Sequence, residues 1–417
     1  MAREMKDSGV EWIGEIPREW RTLPLGNCFL ERIEKVSDKE WEPLSVTKKG
    51  IFKQLENVAK SDAHDSRKKV CKGDFVINSR SDRKQSCGLS DFDGSVSLIN
   101  IVLKNIFYKA EYTKYLLKND GFAEEFYRWG SGIVADLWST KYSKMKKIIL
   151  PVPSLEEQEK IANYLDKKVS DIDLIIEKTK ATIEDYKKYK QSIITEAVTK
   201  GINPNVEMKD SGIEWIGEIP KHWKIFPIKY ILKWKSEKNY PNEMVLSLYR
   251  DYGVIPKDSR DDNHNVTSED TASYKFVEVG DFVINKMKAW QGSMAVSDYQ
   301  GIVSPAYHVC SFKTNELNKK YFHYLLRNQL YLPEFRRLST GLRIGQWDLG
   351  FEDFKQLPYL FPLLEEQNQI VEYIDKKISE IDTLITKKEA LIAELEEYKK
   401  SLIYECVTGK KEVNENV

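Results

Sequence analysis

The sequence predicts an α+β protein in which two α+β domains, in a pseudo-twofold arrangement, are separated by two long antiparallel coiled-coil helices. Three observations lead to this prediction. The chain of 417 residues repeats itself, each half ends in a long charged stretch with one apolar stripe, and the remaining stretches mix short β-type runs with turns. A repeated unit with these parts indicates a tandem of two domains, each followed by a long helix.

The repeat begins with sixteen residues, MKDSGVEWIGEIPREW from Met5, which return from Met208 as MKDSGIEWIGEIPKHW with thirteen identities. GDFVIN occurs at Gly73 and again at Gly280. A period of about 205 residues is far longer than that of a solenoid, so one unit is used twice. The predicted segments are a first domain, a long helix, a second domain, a second long helix and a tail, at residues 1–152, 153–201, 202–361, 362–410 and 411–417.

The long helices are predicted from apolar residues that recur with the α-helical period in both halves. Ser154 with Glu157 is typical of a capping box, and Gly201 and Gly409 mark the two helix ends. About 45 residues extend roughly 68 Å, and an apolar stripe of that length needs a partner stripe. We predict that the two copies pair; the alternative is that each helix covers only its own domain. The pairing positions are Ile161, Leu165, Val169, Ile172, Ile176, Ile183, Ile370, Ile374, Ile378, Ile381, Ile385, Ile392 and Leu395.

The stretches before the helices are predicted to form domains with a mixed or antiparallel sheet. In these domains YTKYLLKNDGFAEEFYRWG and its counterpart NKKYFHYLLRNQLYLPEFRRL are predicted to form one or two helices each. They share a frame that includes GDFVIN and the pair Phe126 and Phe335, whereas the loops that follow GDFVIN differ. Two recognition modules of different specificity would show this pattern. Neutral drift of the loops after the duplication is the alternative.

Composition and motif searches favour a binding protein over an enzyme. The sequence has 65 Lys+Arg, 65 Asp+Glu and 5 scattered cysteines without a C-x-x-C pair, which predicts free thiols in a reducing cytoplasm. It contains no P-loop, no G-x-G-x-x-G after a strand, no H-E-x-x-H and no G-x-S-x-G. No apolar run of about 20 residues could span a membrane. A balanced total charge still allows one basic face that binds nucleic acid.

Three matching loops in each half carry side chains of the types that hydrogen-bond to base edges and phosphates. One lies in LSVTKKG and its counterpart LSLYRDYG, one follows each GDFVIN, and one surrounds the turns GSG and STG. An ordinary basic surface is the alternative, because Lys and Arg are frequent along the whole chain. The predicted DNA-contacting residues are Lys48, Lys49, Asn78, Arg80, Arg83, Tyr249, Arg250, Lys286, Lys288, Trp290, Gln291 and Arg343.

These motifs together resemble the specificity subunits of type I restriction–modification systems. The resemblance covers essentially the whole chain. It is carried by the opening motif, by GDFVIN and by the helix start PSLEEQEKIANYLDKK, in an order that occurs twice. It implies two target recognition domains held apart by an antiparallel coiled coil. It also implies that the chain has no catalysis of its own and that each domain reads one half of a split DNA sequence.

The resemblance implies the partners as well. Double-stranded DNA, two modification (methyltransferase) subunits and restriction subunits are expected, with no membrane contact. No cofactor or metal is expected in this subunit. S-adenosylmethionine, ATP and Mg²⁺ are expected in the partner subunits, for methylation of adenine at N6 and for ATP-dependent cleavage. A complex that only methylates or defends against phage, and a coiled-coil adaptor that does not bind DNA, are the alternatives.

Rigid helices between two readers of DNA would act as a ruler. DNA advances about 3.4 Å per base pair, so roughly 68 Å corresponds to about 20 base pairs, an upper bound on the separation of the two half-sites. Because the loops of the two domains differ, we expect the two half-sites to differ and the whole target to be asymmetric.

The opening motif is predicted to be a structural joint and not a catalytic signature. Its Trp and Ile residues would form an apolar patch around a turn at Pro17, and no histidine or lysine base accompanies its acidic residues in both copies. The second copy follows the end of the first helix at Gly201. By the same arrangement, the first copy should lie near the end of the second helix, around Gly409.

Overall fold

The computed structural model describes residues 3–54, 66–132, 138–250, 252–259, 271–341 and 347–413. The chain divides into two compact units. Unit 1 consists of Met1–Lys180 together with Glu389–Val417, and unit 2 consists of Ala181–Lys388. Each unit therefore combines one of the predicted recognition domains with part of each long helix.

Unit 1 contains the strands and helices of the first repeat. Its strands are β1 (Met5–Asp7), β2 (Glu15–Pro17), β3 (Arg21–Pro24), β4 (Phe29–Glu31), β5 (Lys35–Val36), β6 (Leu44–Thr47), β7 (Gly50–Lys53), β8 (Arg67–Val70), β9 (Phe75–Asn78), β10 (Cys87–Leu89), β11 (Gly94–Val96), β12 (Asn100–Asn105) and β13 (Ile149–Val152). Its helices are α1 (Ala110–Leu116), α2 (Asp120–Arg128), α3 (Tyr142–Met145) and the first part of α4 (Leu155–Lys200).

Unit 2 repeats this order. Its strands are β14 (Met208–Asp210), β15 (Glu218–Pro220), β16 (Lys224–Pro227), β17 (Leu232–Lys235), β18 (Leu246–Tyr249), β19 (Gly253–Pro256), β20 (Lys275–Val277), β21 (Phe282–Asn285), β22 (Met294–Val296), β23 (Gly301–Val303), β24 (Tyr307–Phe312), β25 (Ser339–Thr340), β26 (Asp348–Leu349) and β27 (Pro358–Phe361). Its helices are α5 (Lys319–Leu326), α6 (Leu332–Leu338), α7 (Phe351–Phe354) and the first part of α8 (Leu364–Val407), whose last part belongs to unit 1.

The main sheet of each unit is antiparallel and has the same topology. In unit 1 the strand order is β10-β9-β12-β4, and in unit 2 it is β22-β21-β24-β17. All pairings between these strands are antiparallel, which is one of the two sheet types that the sequence predicted. The GDFVIN strand, β9 or β21, lies inside the sheet in each case, so its apolar residues are buried.

The aspartate of GDFVIN explains why this motif recurs. The buried Asp74 carboxylate accepts hydrogen bonds from Cys71 N at 2.8 Å and from Arg32 Nε at 2.7 Å. In unit 2 the carboxylate of Asp281 accepts hydrogen bonds from Glu278 N at 2.9 Å and from Lys235 Nζ at 3.0 Å. A buried carboxylate is stable when it is paired in this way, so the motif closes a turn against a cation at the end of the edge strand or directly after it.

The long helices begin and end as the sequence predicts. Glu157 N donates to Ser154 Oγ at 3.2 Å at the start of α4, so the predicted capping box is confirmed. Both helices are followed by a glycine in the left-handed region, Gly201 and Gly409, each with φ of 75°. A residue without Cβ adopts this conformation without strain and therefore ends the helix. None of the helices in the described part of the chain is long and apolar enough to cross a membrane.

The two long helices pack against each other in both units. In unit 1, Lys399 Nζ of α8 lies 2.6 Å from Asp173 Oδ1 of α4. In unit 2, Lys190 Nζ of α4 lies 2.8 Å from Asp382 Oδ1 of α8. Each ion pair is the counterpart of the other in the repeat. The start of α4 packs with the end of α8, and the end of α4 with the start of α8, as antiparallel helices require; the predicted fold class is confirmed.

The predicted pairing positions are all buried or half-buried. Some of them also belong to the domain cores, because the core of unit 1 includes Ile161 and Leu165 and the core of unit 2 includes Ile370 and Ile374. Each long helix therefore packs both against its own domain and against the other helix. The predicted pairing and its alternative, a helix that covers its own domain, occur together. Ile172 and Ile176 join the core of unit 1, and Ile183 and Ile381 are buried, while the half-buried positions are Val169, Ile378, Ile385, Ile392 and Leu395.

The opening motif lies at the end of α8, as predicted. Tyr404 Oη donates to the carbonyl oxygen of Trp12 at 3.1 Å, and Lys410 Nζ donates to that of Ile13. Pro17 and Trp20 lie directly against Gly409. The prediction that this motif is a joint between a helix end and a domain is confirmed for unit 1.

A buried glutamine joins each long helix to its domain. Gln158 Oε1 accepts from Lys109 N at 2.9 Å, and its Nε2 donates to the carbonyl of Pro153 at 3.1 Å. Gln367 Oε1 accepts from Asn318 N at 2.8 Å, and its Nε2 donates to the carbonyl of Pro362 at 2.9 Å. This is the Gln of the EEQ sequence at both helix starts.

Replacing Gln367 by Leu is expected to lower the free energy of unfolding by about 2–3 kcal/mol. The change leaves the Asn318 N–H and the Pro362 carbonyl buried without partners, and each such group costs on the order of 1–3 kcal/mol. Urea denaturation followed by tryptophan fluorescence measures the effect. Gln369→Leu, on an exposed position of the same helix, is the control and should change the stability by less than about 0.5 kcal/mol. Equal losses in both variants would contradict the role of Gln367.

Candidate nucleic-acid interface

Two hairpin tips carry the first set of predicted DNA-contacting residues. Lys48 and Lys49 are exposed between β6 and β7, where Thr47 Oγ accepts from Lys49 N at 3.1 Å and donates to the Gly50 carbonyl at 3.0 Å. These bonds hold a tight turn that presents two lysines to solvent. In unit 2, Arg250 is exposed at the corresponding tip between β18 and β19.

Tyr249 precedes Arg250 and is half-buried. Its ring packs edge-on against Tyr252, with the ring centroids 6.5 Å apart. The aromatic contact spans the tip of the hairpin, so Tyr249 supports the turn that carries Arg250. Asp251, between the two tyrosines, lies outside the described residues.

In the loop after β9, two of the predicted DNA-contacting residues, Asn78 and Arg80, make hydrogen bonds within the loop itself. Asn78 Oδ1 accepts from Arg80 N at 3.1 Å, which is the bond of an Asx-turn. Arg80 Nε donates to Asp82 at 2.8 Å. Arg83 is exposed, with 67% of its side chain accessible. Of this loop, Arg83 therefore presents the most accessible guanidinium group.

The loop after β21 is built differently. Asn285 Oδ1 accepts from Met287 N at 3.2 Å, which repeats the turn of Asn78. Lys286 pairs with Asp348 at 3.2 Å, and Lys288 is exposed. Trp290 is half-buried and its ring packs against Trp347, with the centroids 5.3 Å apart. The frame of the turn is thus common to both units, whereas the side chains beyond it are not.

One cavity in unit 2 brings three predicted residues together. Arg250, Trp290 and Gln291 line a space of about 590 Å³. They come from two separate loops, the β18–β19 hairpin and the loop after β21. Lys286 and Lys288 do not line this cavity, and Arg343 lies outside the described residues.

Two arginines of the same cavity were missed by the sequence analysis. Arg336 and Arg337 follow the buried Phe335 in α6 and line the cavity with Trp290. Glu334 accepts two hydrogen bonds from Arg337, at 3.0 Å and 2.7 Å, and these bonds raise the pKa of Arg337. The Arg336 guanidinium lies over the Trp290 ring at 5.6 Å. The signal in the sequence is the pair of arginines directly after a residue of the shared frame.

A second cavity of unit 2 continues the same basic surface. It has a volume of about 430 Å³ and shares Arg250 and Gln291 with the first. His323 and Lys190 also line it. Burial, together with the charges of Arg327 and Lys320, lowers the pKa of His323 to about 3. The imidazole is therefore neutral at physiological pH, and the positive charge of this cavity comes from Arg and Lys.

The side chains that line these cavities are suited to binding a polyanion. Arginine forks, lysine ammonium groups and a glutamine amide donate hydrogen bonds to phosphates and to base edges. Among the described residues, no group of three or more His, Cys, Asp or Glu side chains could hold a metal ion. The cavities are lined by donors and by aromatic faces, which are the surfaces that nucleic acids bind.

Comparison with known families gives one matching family model. Residues 220–396 match the model described as type I restriction modification DNA specificity domain. The matched region covers most of the second recognition domain and part of α8. It includes Arg250, Trp290 and Arg336.

Two curated relatives come from Methanocaldococcus jannaschii. The chain is 26% identical over 284 residues to the type I restriction enzyme MjaVIII specificity subunit, a match that covers 64% of this chain and 62% of the relative. The match therefore spans less than two thirds of that relative's length. The chain is 23% identical over 440 aligned positions to the putative type I restriction enzyme MjaX specificity subunit, with 95% of each chain covered.

Two solved structures share the fold. One is a chain from a study of complex assembly and conformational transition of a type I R-M system, with a TM-score of 0.70, 16% identity, and coverage of 95% of this chain and 99% of that chain. The other is the HsdS subunit from Thermoanaerobacter tengcongensis, with a TM-score of 0.55, 17% identity, and coverage of 95% and 98%. The family model and the two curated relatives confirm the resemblance that the motifs carry. The two solved structures show that the fold is shared.

The lowered pKa of His323 predicts a stability loss in weak acid. The folded state disfavours protonation of this imidazole, whereas the unfolded state does not. The contribution of the neutral His323 to the free energy of unfolding is therefore fully present above a pH of about 6.5 and is lost as the pH falls towards 3. Between pH 7.5 and pH 5.0 the wild type should lose about 2 kcal/mol more unfolding free energy than His323→Gln, from about 1.4 kcal/mol per pH unit below the ordinary pKa. Urea denaturation at both pH values measures this difference. Parallel losses in the two proteins would rule it out.

Proposed function

We propose that this chain, a type I specificity subunit by its resemblance and its matches, is the DNA-recognition subunit of a type I restriction–modification complex. Each recognition domain reads one half of an asymmetric bipartite target. The long helices set the spacer between the halves and dock two modification (methyltransferase) subunits for methylation of adenine at N6. With restriction subunits, the complex cleaves DNA in an ATP-dependent reaction.

One observation carries this proposal: the two units share a frame and differ in the side chains that the frame presents. The turns of Asn78 and Asn285 are built by the same hydrogen bond. Beyond them, unit 1 presents Arg83 and unit 2 presents Trp290 beside Arg336. Base edges are distinguished by the pattern of donors and acceptors, so different side chains on one frame support different half-sites.

The helices support the role of a spacer. α4 has 46 residues and α8 has 44, each without a break, and they pack against each other in both units. A packed helix pair resists bending far better than a single helix. We infer that the number of unread base pairs is set by the number of helical residues.

Exposed apolar side chains on the helices support docking of the modification subunits. Ile175 and its counterpart Leu384 are exposed, and so are Tyr189 and its counterpart Tyr398. Large apolar groups that recur at equivalent exposed positions favour two equivalent protein contacts. The two modification subunits of the proposed complex would supply them.

All chemistry of the complex would take place in the partner subunits. S-adenosylmethionine would bind to the modification subunits, and ATP with Mg²⁺ would serve the restriction subunits. The chain itself would supply sequence recognition and assembly, without a cofactor or a metal.

Selection of DNA from a random duplex pool tests the proposed function. The chain is co-expressed with its modification subunits, and bound duplexes are sequenced; methylome sequencing of the host with and without the gene gives an independent readout. We expect two different short sequences separated by a fixed number of unread base pairs, with one methylated adenine in each half. Recovery of random sequences would contradict a recognition role.

Shortening both helices tests the ruler. Deletion of Glu177–Lys180 from α4 and of Thr386–Glu389 from α8 removes four residues, about one turn, from each helix and keeps their pairing on both sides of the deletion. Four residues correspond to about 6 Å, so the unread spacer should shorten by about 2 base pairs while both half-sites are kept. The selection experiment measures the spacer. An unchanged spacer in a folded variant complex would refute the ruler.

A further inference from the structure

An aromatic residue and an arginine exchange places between the two units. Phe126 and Phe335 are equivalent buried residues, so the next residues, Tyr127 and Arg336, occupy the same position in α2 and α6. The two loops that follow GDFVIN can be aligned with each other by their backbone conformation. Gln85 in unit 1 and Gly292 in unit 2 are both in the left-handed region, with φ of 62° and 81°. Two residues before them stand Arg83 in unit 1 and Trp290 in unit 2.

In unit 1 the aromatic residue is on the helix and the arginine is on the loop. The Tyr127 ring is buried, and its hydroxyl lies 3.2 Å from the Asn78 carbonyl and 3.3 Å from the Arg83 carbonyl, either of which it can bond. Tyr127 thus supports the backbone of the loop. The Arg83 side chain is exposed, and its Nε lies 3.8 Å from Asp82 Oδ2.

In unit 2 the arrangement is reversed. Arg336 on the helix is exposed, and its guanidinium lies over the ring of Trp290 on the loop at 5.6 Å. Trp347 packs edge-on against Trp290 and holds that ring. Within the described part of the chain, no hydrogen bond or ion pair engages the Arg336 guanidinium. Arg337, next to it, gives two hydrogen bonds to Glu334, so its fork is already occupied.

We propose that Arg336 reads a guanine in the half-site bound by unit 2, and that Trp290 positions its guanidinium for this contact. The inference rests on the proposed function and names the base and the residues of one recognition site. Stacking on an aromatic face restricts the long arginine side chain but leaves its N–H groups directed outward in the plane of the fork. A planar fork with two parallel donors matches the O6 and N7 acceptors of guanine in the major groove.

The position of Arg336 agrees with this role. It lines the same cavity as Arg250 and Gln291, which come from the two loops predicted to contact DNA. Arg250 adds positive charge there, and Gln291 adds an amide that is suited to adenine. Arg336 is therefore placed among side chains that can contact neighbouring bases, on a helix whose buried face is fixed by Phe335.

Variants of Arg336 in the complex with the modification subunits test the proposal by the same selection from random duplexes. The wild type should select a G·C pair in one half-site. Arg336→Ala should lose the preference for that pair by roughly 5- to 150-fold, which corresponds to about 1–3 kcal/mol for a bidentate contact, and should keep the other half-site unchanged. Arg336→Lys keeps the charge but not the fork, so it should bind DNA well and show the same relaxed preference.

Trp290 and Arg337 provide the controls. Trp290→Phe keeps an aromatic face and should keep most of the preference for the G·C pair, whereas Trp290→Ala should relax it while Arg336 is still present. Arg337→Ala removes a positive charge from the same cavity, so it should lower the affinity for all sequences alike. It should keep the preference for the G·C pair, because Glu334 already occupies the Arg337 fork. Melting temperatures of the variant complexes establish that the proteins are folded, and Arg336→Lys decides the question if Arg336→Ala does not fold.

The possible outcomes separate this inference from the proposed function. A wild-type complex that selects no sequence would refute the proposed function and the inference with it. Selection of a bipartite sequence that Arg336→Ala and Arg336→Lys both leave unchanged would refute the inference alone. A uniform loss of affinity for all sequences with the preference retained would identify a phosphate contact and also refute it. Relaxation of one G·C pair in one half-site by both variants would support it.

Discussion

The hydrogen bonds at the start of each long helix are the interactions on which the rest of the structure depends. Gln158 and Gln367 are buried, and each bonds to the backbone of its domain and to the proline segment before its own helix. The glutamate before each glutamine accepts the indole N–H of the opening motif, from Trp20 at 3.0 Å and from Trp223 at 2.9 Å. The first backbone N–H groups of a helix have no partners within the helix. In each unit, the glutamate and the glutamine at the helix start bond to the opening motif, to the domain backbone and to the proline segment. These bonds fix the direction of the helix within its unit.

The end of the other helix completes each unit. Tyr112 Oη donates to the carbonyl of Val407 at 3.0 Å, and Tyr321 Oη donates to that of Val198 at 3.2 Å. These tyrosines are buried and satisfy carbonyls in the last turn of a helix, which have no partner within it. A folded unit is therefore not the same as a sequence repeat. In unit 1, the hydrogen-bonded residues Tyr112 and Val407 are 295 positions apart in the sequence. We therefore expect this contact to form during folding after the local structure of each segment has formed.

The sequence predicted what is periodic or duplicated. The apolar stripes, the capping box of Ser154, the glycines that end the helices and the position of the first joint near Gly409 are local or repeated patterns, and the structure confirms them. The cavity around Trp290 and Arg336 could not be predicted in this way. Its residues come from a loop and a helix 46 positions apart, and no period connects them. The prediction for Asn78 was limited in a related way. An asparagine side chain is suited to a base contact, but the side-chain oxygen Oδ1 of Asn78 accepts the hydrogen bond of a turn. The domain boundaries and the assignment of individual DNA contacts stay predictions.

The divergence of the two units shows how specificity can change on a constant frame. Lys68 and Lys275 are equivalent, and each donates to the carbonyl at the same place in its sheet, that of Asn100 or Tyr307. Glu31 pairs with Lys68 at 2.9 Å, but in unit 2 the counterpart of this glutamate is Trp234, whose ring lies 5.9 Å from Lys275 Nζ. Burial then lowers the pKa of Lys275, with smaller contributions from Lys286 and Lys238. The backbone bond is kept while the charge around it changes. Because a bond to a backbone carbonyl can be kept when a neighbouring side chain changes, the frame tolerates such exchanges, and the exposed loops can diverge without a change of fold.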